Sequence, residues 1–345
     1  MIARSNSPRC FSTRLYGFIC KVFSVCDRPA DHGLHVILPR ETGNVRILPG
    51  AKVLVLFLLF PAPCLPSQRP RLMTSGDLAC FESPEPDQRI PYGDDALQFG
   101  ELRLPEGAGP HPAAILIHGG CWLSEFDITH LRKLAAALTR TGIATWAIEY
   151  RRVGNPGGGW PGTFQDVARG ADHLRVLARS HPLDLGRVLA VGHSAGGHLA
   201  LWLAARSKLT EREPFRAENP VLPGAVLGLA PAPDLAYLHE QGVCDSVIEK
   251  LLGGSPESQP DRYAMGSPMN LIPLGVPQIL ILGKHDANWA PVGRRYFEAA
   301  KATGDDVRII DAPESGHFEM IDPDSTTWPL VTAVARDLLD RLPQR

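Results

Sequence analysis

The chain has 345 residues, of which 44% are hydrophobic and 21% charged. That length suits one large α/β domain or two smaller ones, and the balance allows a sizeable core. A formal net charge of -2 gives no sign of a polyanion binder, so nucleic acid is not an expected partner.

The charge is unevenly spread. Residues 1–72 hold 10 Lys and Arg against 3 Asp and Glu, and the remainder holds 25 against 34. This leader mixes Arg, Ser, Pro and Cys without periodicity, so it is expected to be disordered and is set apart from the fold at 73–345. Its apolar run Val53–Phe60 is too short to span a bilayer, so stable membrane insertion is not expected. Two readings follow. Either Met73 is the true start and the protein is cytoplasmic, or the run is a signal-peptide core and the protein is exported. The seven cysteines are odd in number and form no CxxC pair. A disulfide framework or a metal site is therefore not expected, and Cys80, Cys121 and Cys244 read as reduced thiols.

From about Gly100 strand-like and helix-like segments alternate. Phe99–Leu104 alternates as a half-buried strand does, and Ala113–His118 is an apolar run suited to burial on both faces. A helix follows, with Leu131, Leu134 and Leu138 on one face and Gly142 as its stop. Ile143–Tyr150 is the next strand. The helix after it begins near Thr163, a candidate cap. Gly186–Gly192 is a strand and the segment after it a helix. Strands are also expected at 223–231, Pro277–Gly283 and 306–312, with helices after the last two. Residues 232–272 carry helical fragments without strand rhythm. The alternation predicts a mostly parallel sheet with helices on both faces, whose chemistry gathers at the strands' carboxyl ends.

Four motifs fall at such ends. Gly192-His193-Ser194-Ala195-Gly196 is a G-x-S-x-G between a strand and a helix. A turn that tight exposes the serine hydroxyl, and a Cβ at Gly192 or Gly196 would collide with its neighbours. A serine reacts only if a base takes its proton. Asp286 and His317 follow later strands, and the order Ser194, Asp286, His317 fits an orienting acid and a base. His285 and His198 are less suited as the base, while Asp234 is the main alternative acid. Asp305 and Asp306 read as solvent-facing turn residues. In His118-Gly119-Gly120-Cys121-Trp122, two glycines let backbone amides turn toward a substrate. The N–H groups of Gly120, Cys121 and Ala195 are the expected oxyanion donors. Trp122 and Trp160 are candidates for shaping the substrate pocket.

Together "HGGCW", "GHSAGGHLA", "GKHDANWAP" and "ESGHFEMIDP" resemble the α/β-hydrolase superfamily over about residues 95–343. The likeness is to its esterase/lipase-like group, which holds carboxylesterases, arylformamidases and acylaminoacyl-peptidase-type enzymes. The resemblance implies an eight-stranded, mostly parallel sheet with a small cap at about 232–272, and a serine hydrolase that needs no cofactor. Cys121 departs from the group, standing where relatives carry a third glycine or an aromatic. The leader has no counterpart. The expected activity is hydrolysis of small or short-chain carboxylic esters through an acyl-enzyme. The alternatives are amide hydrolysis of the arylformamidase or acylaminoacyl-peptidase type and a non-catalytic binding protein. A homo-oligomer is compatible with the sequence.

Overall fold

The computed structural model describes residues 71–81, 84–209 and 211–343. Apart from residues 71 and 72, the leader lies outside these, as does the run Val53–Phe60. The described chain builds one eight-stranded sheet from β1 (Gln88–Pro91), β2 (Phe99–Arg103), β3 (His111–Ile117), β4 (Ala144–Ile148), β5 (Leu183–His193), β6 (Ala225–Leu229), β7 (Gln278–Gly283) and β8 (Val307–Ala312). Their spatial order is β1-β2-β4-β3-β5-β6-β7-β8. The pairs β1·β2 and β2·β4 are antiparallel, and every pair from β4·β3 to β7·β8 is parallel.

Parallel strands must be covered on both faces, and the side-chain period of two divides the core accordingly. Ile115, Ile117, Ala190, Val226, Leu280 and Leu282 point to one face. That face packs against α2 (Gly162–Asp172), α3 (Leu174–Leu177), α4 (Ala195–Ala205) and α8 (Ala290–Ala302). Ala114, Leu116, Leu189, Val191, Leu227 and Ile281 point to the other face. There they meet α1 (Arg132–Thr139) and α9 (Trp328–Asp340). Every residue of α4 is buried, which suits its nearly uniform apolar sequence. This helix is the central strut behind β5.

Between β6 and β7 the chain forms α5 (Leu235–Glu240), α6 (Val247–Leu252), α7 (Pro260–Gly266) and a 3-10 turn at Pro268–Asn270. These elements occupy 232–272, the stretch read from the sequence as a small cap. It is anchored on α4 by Trp202 Nε1, which donates to the Met265 carbonyl at 2.9 Å. His198 Nε2 donates to the Gly266 carbonyl at 2.8 Å.

Four local expectations are corrected. First, β2 is not half-buried: Glu101 and Arg103 are almost wholly enclosed. The charges are tolerated because Arg132 grips Glu101 through Nε at 2.9 Å and Nη2 at 2.5 Å, while Arg103 Nη2 donates to the Pro84 carbonyl. Second, Thr163 does not cap α2. It lies inside the helix, and its hydroxyl accepts from Gly159 N and donates to the Arg151 carbonyl. Third, Asp305 is half-buried, accepting from the amides of Leu274 and Gly275. Fourth, the cysteines do not all remain thiols. Cys121 and Cys244 form a disulfide across a sequence separation of 123. The link exists because the cap brings the connection between α5 and α6 down onto the loop after β3.

Candidate active site

The carboxyl ends of β3, β5, β7 and β8 converge on one cleft of about 300 Å³. Ser194 stands between β5 and α4 with φ 55° and ψ -120°. A non-glycine residue in that region costs about 1–3 kcal/mol and persists only where its surroundings force it. Here backbone crowding does so. A Cβ on Gly192 would sit 2.0 Å from the Gly196 carbonyl oxygen, and one on Gly196 would sit 2.0 Å from that of Ile117. Ser194 N donates to the Leu229 carbonyl of β6 at 2.9 Å, pinning the turn from the other side.

After β3 the chain turns through Gly120, Cys121 and Trp122 at φ 109°, 49° and 56°. Among the described residues no acceptor takes the N–H of Gly120 or Cys121. Ala195 is the first residue of α4, so its N–H has no partner within the helix. The three amides are thus available to a developing oxyanion.

This loop is held by a buried charged network. Glu149 accepts from Ile128 N and Tyr150 N, each at 2.9 Å, and from Arg152 Nη1. Tyr150 Oη donates to the His118 carbonyl at 2.8 Å. His118 Nδ1 lies 2.8 Å from the Gly119 carbonyl and donates to it, while Nε2 lies 3.1 Å from Glu149 Oε1 and 3.2 Å from Arg152 Nη1. Complete burial and the neighbouring guanidinium push the His118 pKa down to about 3. Burial likewise brings Arg152 down to about 10.

Asp286, in the loop after β7, and His317, in the loop after β8, meet directly. His317 Nδ1 donates to Asp286 Oδ2 at 2.6 Å. The bond fixes the tautomer that leaves Nε2 free as an acceptor. Trp289 N donates to the other carboxylate oxygen at 3.2 Å, and the Trp289 ring stacks on the imidazole at 5.1 Å and 23°. The His317 loop is clamped further by Glu319, whose carboxylate accepts from Gly316 N and from Met73 N. Ser194 and His317 border the same cleft, and among the described residues neither Ser194 Oγ nor His317 Nε2 is engaged by another side chain. Such bonds commonly close only when substrate is bound.

The other expected candidates fall elsewhere. Asp234 caps α5 through Tyr237 N and pairs with Arg295, away from the cleft. His285 is exposed, and His198 is enclosed between Trp122 and Gly266. Neither tryptophan singled out in the sequence borders the cleft. The positive φ of Trp122 turns its ring into the core, where Nε1 donates to His198 Nδ1 at 3.2 Å. Trp160 packs edge-on against Phe164 and Phe215. The walls are instead Phe126, Trp289 and Phe318, with Ser75 and Asn288 as polar residues beside them. Trp289 had a signal, since it lies in the same loop as Asp286. Ser75 had none.

A parallel sheet, a strained serine between strand and helix, and an Asp–His pair from two later loops together define an α/β-hydrolase. The BD-FAE family model matches residues 101–292. The chain belongs to that family.

Among curated proteins it is similar to esterase EstD of Thermotoga maritima, with 23% identity over 67% of this chain and 60% of that protein. It is also similar to the acylamino-acid-releasing enzyme of Rattus norvegicus, with 29% identity over 68% of this chain and 32% of that protein. The chain thus spans less than two thirds of these relatives' lengths. Two solved structures share the fold. Esterase B from Lactobacillus rhamnosis has a TM-score of 0.66 and 19% identity, over 77% of this chain and 90% of that one. The acetyl ester-xyloside bifunctional hydrolase from Caldicellulosiruptor lactoaceticus has a TM-score of 0.61 and 18% identity, over 74% and 96%.

Proposed function

We propose that residues 73–345 form a serine hydrolase that cleaves small or short-chain carboxylic esters through an acyl-enzyme. The observation that carries this is the 2.6 Å bond from His317 Nδ1 to Asp286, in a cleft that also holds Ser194. In the reaction His317 Nε2 takes the Ser194 proton as Oγ attacks the acyl carbon. Asp286 stabilises the imidazolium, and the N–H groups of Gly120, Cys121 and Ala195 receive the oxyanion. Collapse of the tetrahedral intermediate expels the alcohol, which takes the proton from His317. Water activated by the same imidazole then releases the acid.

The cleft volume of about 300 Å³ lies at the low end for small-molecule sites, which favours short acyl groups and small alcohols. Membership of an esterase family and the likeness to EstD support ester over amide bonds. A second reading, amide hydrolysis, is favoured by the likeness to the acylamino-acid-releasing enzyme. A p-nitrophenyl ester series assayed beside N-formylkynurenine separates the two: a far larger kcat/KM on the formamide would overturn the ester reading. Fluorophosphonate should label the wild type and spare Ser194→Ala. Folded protein that resists the label would point to a non-catalytic binding role.

The Cys121–Cys244 bond favours an oxidising compartment over the cytoplasm. Among the described residues no helix is long and apolar enough to cross a membrane. Sequencing the amino terminus of the protein from its native host tests the export reading.

A further inference from the structure

The residue before Ser194 is a histidine that the reaction above does not use. His193 is almost wholly buried, and its ring lies between two parts of the site. On one side its ring centroid is 4.7 Å from that of His317, and its Nε2 is 2.8 Å from the His317 backbone carbonyl. On the other side its Nδ1 is 3.0 Å from Nε2 of His130. Phe318 closes a third side at 5.6 Å.

The direction of these bonds follows from what each atom can do. A carbonyl oxygen only accepts, so His193 Nε2 carries the proton. With the ring neutral, Nδ1 holds a lone pair and accepts from His130 Nε2–H. That leaves His130 Nδ1 with a lone pair, and among the described residues this buried atom has no hydrogen-bond partner. The series therefore runs one way, from His130 to His193 to the carbonyl of His317. Burial holds both histidines uncharged, with the pKa of His130 pushed down to about 3.

We propose that His193 is a positioning residue that sets the distance between Ser194 and His317, with His130 fixing its tautomer. The proposal rests on the reading of Ser194 and His317 as nucleophile and base. His193 shares a peptide bond with Ser194 and grips the backbone of His317, so one rigid ring joins the two reacting partners. Asp286 orients the imidazole from its Nδ1 edge, and His193 holds the same residue by its main chain. Two grips on one residue restrict both the tilt of the ring and its approach to Oγ.

Variants of matched bulk test this. His193→Leu fills the space without a donor, and His193→Gln offers an amide N–H at about the reach of Nε2. His193→Asn carries an amide too short to reach the carbonyl. A misplacement of about 1 Å at a reacting pair costs on the order of 10²-fold. With a p-nitrophenyl ester, His193→Leu and His193→Asn should therefore lose about 10²-fold in kcat, with KM changed by less than about threefold. His193→Gln should return to within about tenfold of the wild-type kcat. If His193→Leu fails to fold, the Gln and Asn pair decides. Equal kcat in Gln and Asn, or a folded Leu variant with wild-type kcat, overturns the proposal. Ser194→Ala and His317→Ala run in the same assay. Turnover surviving in either would refute the nucleophile and base themselves, whereas two inactive controls beside unaffected His193 variants would refute only the positioning role.

Discussion

The loop that presents Gly120 and Cys121 and the loop that presents His317 face the same cleft but are fastened differently. The first is held by permanent charges and a covalent bond: Glu149 and Arg152 beneath it, and the link from Cys121 to Cys244 above it. The second is held by hydrogen bonds, to the carboxylates of Asp286 and Glu319 and from the neutral ring of His193. The difference matches the work that the proposed reaction gives each loop. Amides that receive an oxyanion never change charge, so fixed ions behind them do no harm. An imidazole that gains and loses a proton is sensitive to every nearby charge. Uncharged His193, held in turn by uncharged His130, can grip its backbone without biasing that step.

The contrast can be broken at its strongest point first. Asp286→Asn removes the acceptor that fixes the His317 tautomer, and kcat should fall by about 10⁴-fold while the fold persists. Stopped assays at high enzyme concentration, with circular dichroism beside them, check both halves. Glu149→Leu strikes the other loop. Removing one member of a buried charged network leaves Arg152 uncompensated, and the loss should be about 3–5 kcal/mol of stability in urea titrations. The two variants should thus separate, one losing rate and the other losing stability.

Acid sharpens the comparison with a smaller effect. His118 and His130 are held near a pKa of about 3 and His198 near 4, all below the ordinary 6.5. Below pH 6.5 the unfolded chain takes up protons that the folded one refuses. The stability these residues contribute is therefore present above pH 6.5 and drains away as the pH falls toward 4 and then 3. Each such histidine adds a slope of up to about 1.4 kcal/mol per pH unit in that window. Denaturant midpoints at pH 7 and pH 5 measure it, and equal midpoints would contradict the neutral-histidine assignment. The smallest effect is expected at Asp234→Asn. This residue caps α5 and pairs with a mostly exposed Arg295, so the cost should be within about 1 kcal/mol and kcat/KM should stay within about twofold. A loss as large as that at Asp286 would reassign the acid.

Much of this was legible because it is written locally. Apolar runs such as Ala113–Ile117 and Gln278–Gly283 mark strands buried on both faces, and the glycines around Ser194 mark a turn with no room for side chains. Asp286 and His317 stood out because each follows a strand. What escaped depends on direction or on distant packing. β1 is four residues long and mostly exposed, so it has no apolar signature. Nothing in "HGGCW" says that its tryptophan turns inward to His198. The grip of His193 on the His317 backbone joins residues 124 positions apart and uses a side chain that looks incidental. The pairing of Cys121 with Cys244 required knowing where the cap would settle.

That last bond makes the stretch from 121 to 244 a covalent ring with Ser194 inside it. Within the same ring, Glu211, Arg212 and Glu213 are exposed, and Arg212 offers trypsin a site. A single cut there would leave both pieces attached to one another. The nicked protein should run as one band on a non-reducing gel and fall into two only after a thiol is added.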